Sequence, residues 1–190
     1  MRALSAVALL FAGVGLMSAA EPTISLKLIA KKDGYAWPVP HKPAEWEALL
    51  KEAQKAIRDK KDAVVPEALS VDFVLRFTNT GDKPVEIFVK GDVNLLTLEL
   101  NGPGVVILAP PRAMTLEFRL AQPVTIEAGK SFELPVGKLA DGFRGVTRSL
   151  YFTAPGEYEL KASYQLADSE EKKGTLLKTD AVRFTVAEPK

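Results

Sequence analysis

The sequence predicts an all-β protein: an antiparallel β-sandwich of about eight or nine strands carrying one inserted α-helix near its N-terminal side. Three observations predict it. Segment after segment of the 190-residue chain alternates apolar with polar residues, the period of strands with one wet face rather than of fully buried parallel strands. Turn residues separate these segments at short intervals, as at residues 79–84 (Asn-Thr-Gly-Asp-Lys-Pro) and 101–104 (Asn-Gly-Pro-Gly). A single stretch, residues 43–61, changes to a helical period.

Residues 1–20 read as a secretory signal peptide: a positive start at Arg2, an apolar run over residues 3–16, and the small residues Ser18, Ala19 and Ala20 at the expected cleavage point. Export to the periplasm or the cell exterior follows, with no membrane span left after cleavage, the alternative being that the segment is kept as an uncleaved anchor. Residues 21–190 then form one domain, a size that supports one full core. The chain holds 25 Lys and Arg against 24 Asp and Glu. Cleavage removes Arg2 and no acid, so the mature chain is formally neutral, which argues against nucleic acid or an anionic membrane surface as partner. With no cysteine, the exported chain has no disulfide framework and must be held by its core.

Residues 23–30 alternate Ile24, Leu26 and Leu28 with Ser25, Lys27 and Ile29, a half-buried strand ended by Asp33-Gly34. Residues 35–43 contain Pro38, Pro40 and Pro43, which remove ladder donors and make this a proline-stiffened surface segment. Trp46, Leu49, Leu50, Ala53, Ala56 and Ile57 share one helical face. Pro43 suits the first turn, Glu45 and Glu47 favour the N-terminal end, Arg58, Lys60 and Lys61 favour the C-terminal end, and Glu47 with Lys51 is a supportive i, i+4 pair. The helix is expected to pack over an open end or face of the sandwich, the alternative being a helix that binds a partner.

Strand rhythm then returns: Val71, Phe73, Leu75 and Phe77; Val85, Ile87 and Val89; Leu96, Leu98 and Leu100; residues 105–108; Met114, Leu116, Phe118 and Leu120; Val124 and Ile126; Phe132, Leu134 and Val136; and finally Val182, Phe184 and Val186. In residues 154–166 a Pro155-Gly156 corner feeds Tyr158, Leu160, Ala162, Tyr164 and Leu166. Tyr158 resembles the tyrosine corner of immunoglobulin domains, whose hydroxyl bonds upstream backbone, with Leu160 standing where a disulfide-forming cysteine would follow.

Residues 77–87, 125–131 and 155–158 together resemble bacterial exported immunoglobulin-like domains. Their order is similar to the intracellular proteinase inhibitor family of Bacillus (BsuPI-like domains), and the mature chain resembles secreted proteins of planctomycete-type bacteria. The resemblance implies an immunoglobulin-like sandwich with a binding or inhibitory role. It carries over no reactive-site residue, and the signal peptide departs from an intracellular inhibitor.

No catalytic signature stands out. The only histidine is His41, no Gly-x-Ser-x-Gly frame presents a serine, and cysteine chemistry is excluded. Zinc and copper sites need several His or Cys ligands. Asp33, Asp82, Asp92 and Asp141 adjoin glycines, but turn chemistry accounts for such pairs without calcium. The expectation is therefore a non-enzyme without catalytic residue, metal or cofactor.

Two segments are candidates for binding. Residues 139–152 bring Phe143, Arg144 and Arg148 into what reads as a connection before the corner strand, and arginine and aromatics are enriched in interface hot spots; structurally, Phe143 plugging the sandwich end while Arg144 and Arg148 bond carbonyls is the alternative. Tyr35, Trp37 and His41 form an aromatic, proline-flanked loop of the kind that binds peptides or sugars. The expected function is an exported, non-enzymatic interaction module presenting these loops to a protein or glycan. A protease inhibitor and an enzyme of unrecognised type are the alternatives.

Overall fold

The computed structural model describes residues 23–92, 95–111, 119–143, 146–167 and 173–189. In chain order its elements are β1 (Ile24–Ala30), β2 (Gly34–Tyr35), α1 (Pro43–Arg58), β3 (Ser70–Asn79), β4 (Val85–Val89), β5 (Leu96–Asn101), β6 (Val105–Leu108), β7 (Gln122–Ile126), β8 (Ser131–Lys138), β9 (Ala140–Phe143), β10 (Val146–Phe152), β11 (Gly156–Ala167), β12 (Lys173–Lys178) and β13 (Val182–Val186). The strand expected around Met114, Leu116 and Phe118 lies outside the described residues.

One sheet runs β1-β3-β8. The other is organised on β11, which pairs with β13 and β12 along one side and with β5 and β4 along the other; β7 extends β4. This is a β-sandwich, with β1, β3 and β8 stacked on a sheet built around β11, the strand that carries Tyr158. Alternation sends Phe73, Leu75 and Phe77 of β3 toward Tyr158, Leu160 and Tyr164 of β11, all buried. Across the layers the Phe77 ring stands edge-on to Tyr164 at 5.2 Å and Phe73 edge-on to Phe184 at 5.5 Å, the preferred geometry for ring quadrupoles.

The strands outnumber the expected eight or nine for local reasons. β12 and β13 are one bent strand interrupted at Thr179, whose backbone N–H donates to the Ala162 carbonyl while its hydroxyl takes the Ala162 N–H. β2 joins β13 in parallel, against the expectation of a purely antiparallel sheet; two residues carry no periodicity from which to read a direction. The stretch read as a connection holds two strands instead: β9 and β10 pair antiparallel and with β6 make a third sheet ordered β6-β10-β9.

Helix α1 covers that third sheet. Pro43 starts it and the Lys42 backbone N–H donates to Glu45 Oε2 at 3.2 Å. Trp46, Leu50 and Ala53 are buried, with the Trp46 ring edge-on to Tyr151 at 5.8 Å and Gln54 Nε2 bonded to the Ile107 carbonyl on the edge strand β6 at 3.0 Å. Lys51 and Glu47 pair at 2.7 Å as expected. The helix stops at Arg58 rather than residue 61 because Lys60 turns to φ 56°, bonding its N–H back to Ile57 O while Lys61 N–H reaches Ala56 O. No described helix is long and apolar enough to cross a membrane.

Two polar anchors fix the loops. Asn79, fully buried at the end of β3, accepts the Gly81 N–H through Oδ1 and donates through Nδ2 to the carbonyls of Lys83 and Ile126, both at 2.8 Å. It thereby ties the β3–β4 turn to β7. Asn79→Ala strips those carbonyls of their donor and is expected to cost about 1–3 kcal/mol, measured as a drop in the urea midpoint with unchanged slope.

Tyr158 is a tyrosine corner as the sequence indicates: its hydroxyl is shared between the carbonyls of Ala154 at 2.7 Å and Gly104 at 2.9 Å. Gly102 lies flat on the ring, where a Cβ would come within 2.1 Å of it, and Gly156 holds φ 135° at the corner. Burial raises the Tyr158 and Tyr164 phenols above their ordinary value. The folded state therefore keeps these protons longer than the unfolded chain does. Their stabilising effect is complete below pH ~10 and is lost as pH rises through the higher folded values, so Tm is expected to fall in step with phenolate absorbance in an alkaline titration.

Candidate functional site

The proline-rich segment is held from below by aromatic contacts. Tyr35 enters through β2, its ring 5.5 Å from Phe184 and 6.1 Å from Phe73, and its hydroxyl accepts the Asp72 N–H at 2.9 Å. Burial raises its phenol above the ordinary value. Trp37 donates Nε1 to the His41 carbonyl at 2.8 Å, closing residues 37–41 into a stapled turn, and tilts against Phe152 at 6.4 Å. The exposed His41 ring lies parallel to Trp46 at 6.2 Å. Trp46 in turn donates Nε1 to the Phe152 carbonyl at 3.3 Å.

Between this turn and residues 66–70 lies a cleft of about 370 Å³, walled by Pro38, Pro40, His41 and Pro66 and backed by Trp46. Both indole donors are engaged internally, so the cleft offers a visitor shape, ring edges, the His41 imidazole and the Glu67 carboxylate. Glu67 is paired with Lys138, and that hydrogen bond lowers its pKa. A larger cleft of about 410 Å³ opens where the two main sheets part, lined by Thr23, Ile24, Glu86, Ile87, Leu166 and Leu177. Among the described residues its lining includes no histidine, lysine or arginine, and Glu86 is its one charged residue.

The second candidate segment has a different role from a binding loop. Phe143 ends β9, and Arg144 lies outside the described residues. Arg148 on β10 grips Asp141 on β9 with two bonds, Nε to Oδ1 at 2.8 Å and Nη2 to Oδ2 at 2.5 Å. The Asp141 carboxylate is 1 % exposed and the guanidinium 33 %. Asp141 Oδ2 also accepts the Leu98 N–H at 2.6 Å, while Arg148 Nη2 donates to the Leu98 carbonyl at 3.2 Å.

The register explains this clamp. The Gln165 N–H bonds the Leu95 carbonyl, which sets the β5–β11 ladder so that Leu98, opposite Ala162, turns both peptide groups away from β11. Asp141 and Arg148 satisfy both, joining the third sheet to β5. The Asp141 hydrogen bond raises the Arg148 pKa, keeping the guanidinium charged.

The structure thus places Trp37 against β10 and His41 against α1, seats Tyr35 apart from them between β3 and β13, and holds Arg148 in a separate clamp on β9 and β5. Arg148 and Phe152 are separated by four residues of strand, about 13 Å. Sequence reasoning missed Asp141 as a partner, reading it only as half of an Asp-Gly turn, and missed Trp46 as the support of the loop; the i, i+7 spacing of Asp141 and Arg148 across a Gly-containing stretch is the signal that points to the first. Among the described residues no group of three His, Cys, Asp or Glu is placed to hold a metal ion. Comparison of the chain with protein-family models finds no match, and comparison with curated proteins finds none either.

Proposed function

We propose that the protein is an exported, non-enzymatic binding module, an immunoglobulin-like sandwich that presents the stapled turn of residues 37–41 to a protein or glycan. The observation that carries this reading is the cleft beside that turn. Its walls are fixed in advance by prolines and by the Trp37 and Trp46 hydrogen bonds, so a partner meets a preorganised surface and little ordering cost. Export rests on the charged, apolar and small-residue pattern of residues 1–20.

The chain lacking residues 1–20, immobilised and offered a glycan array and the secreted proteins of its source, is expected to retain a partner with saturable affinity. Substrate turnover without any retained partner contradicts the reading.

A further inference from the structure

We infer that Asn101 is a site of spontaneous deamidation, with the backbone nitrogen of Gly102 as the attacking group. Asn101 closes β5 and, with Gly102, is exposed. The same ladder phase that turns Leu98 away from β11 makes Asn101 and Glu159 a mutually bonded pair, so the next N–H, that of Gly102, points away from β11. Gly102 has no side chain to shield its nitrogen, and the Tyr158 ring prevents its gaining one, since a Cβ there would sit 2.1 Å from a ring carbon. The tyrosine corner thus requires the residue that leaves the neighbouring asparagine vulnerable.

In the reaction the Gly102 nitrogen loses its proton to solvent and bonds to Asn101 Cγ; Nδ2 takes up a proton from solvent as the Cγ–N bond breaks, and ammonia leaves, giving a five-membered succinimide. Water then opens the ring at either carbonyl, producing aspartate or isoaspartate. Either product strains the corner. Aspartate sets a new carboxylate opposite Glu159, which is already paired with Arg183 at 3.0 Å. Isoaspartate inserts a methylene into the backbone just before the Gly102 seat against Tyr158.

Asn79 provides an internal control. It is fully buried, its carboxamide makes three hydrogen bonds, and Thr80 follows it.

The folded chain, aged in mildly alkaline buffer and digested, is to be read by mass spectrometry with isomer separation, beside chain aged in guanidinium chloride. The expected result is conversion at Asn101 in the folded protein, as a mixture of aspartate and isoaspartate, faster at higher pH and with Asn79 intact. The Asn101→Asp variant is expected to melt about 1–4 °C lower. If Asn101 survives in the folded protein while the unfolded chain converts it, or if aspartate alone forms, the inference is overturned.

Discussion

Replacing Asp141 by alanine is expected to destabilise the protein by about 3–5 kcal/mol, the usual consequence of breaking a buried pair by removing one partner. The carboxylate is 1 % exposed and accepts three hydrogen bonds, two from Arg148 and one from the Leu98 N–H. Alanine leaves that N–H without an acceptor and the guanidinium without its counter-charge. Arg148 is the more exposed partner and can turn toward water, so Arg148→Ala is expected to cost less than Asp141→Ala. A double-mutant cycle in urea measures the coupling. Additive effects of the two substitutions contradict the clamp.

Trp46→Ala is expected to cost a similar amount, about 3–5 kcal/mol for loss of a buried aromatic side chain. Its consequences reach further, because Trp46 stands between the core and the surface. Its ring packs against Tyr151, its Nε1 holds the Phe152 carbonyl, and its outer face carries His41. The chain has two tryptophans, so in this variant all indole emission comes from Trp37. A red shift of that emission in the folded variant reports that the stapled turn has loosened; unchanged emission contradicts the role assigned to Trp46.

The sandwich was largely legible in the sequence because each main strand has one wet face. β3 and β11 read directly from Phe73, Leu75 and Phe77 and from Tyr158, Leu160 and Tyr164, and the helix read from the spacing of Trp46, Leu50 and Ala53. The third sheet was not legible for the same reason inverted. α1 covers its outer face, so Leu150, Tyr151 and Phe152 are all buried, and a short run apolar on both sides carries no alternation.

Of the candidate segment, the closeness of Trp37 and His41 was visible because they are neighbours in sequence, whereas the seating of Tyr35 between β3 and β13 was not. Nor was the separation of Arg148 from them. It depends on the β5–β11 register, which brings Leu98 to a strand 43 residues away, and no local pattern announces such a pairing.

The central claim is that the stapled turn of residues 37–41 is the recognition surface. The most direct measurement is the affinity of a retained partner for the double variant Pro40→Ala, His41→Ala, beside Arg183→Ala on the outward face of β13. Pro40 and His41 are exposed, so the fold is expected to survive. A weakening of at least about tenfold, or 1.4 kcal/mol, in the double variant alone is the predicted result, and equal affinity across all three proteins contradicts it.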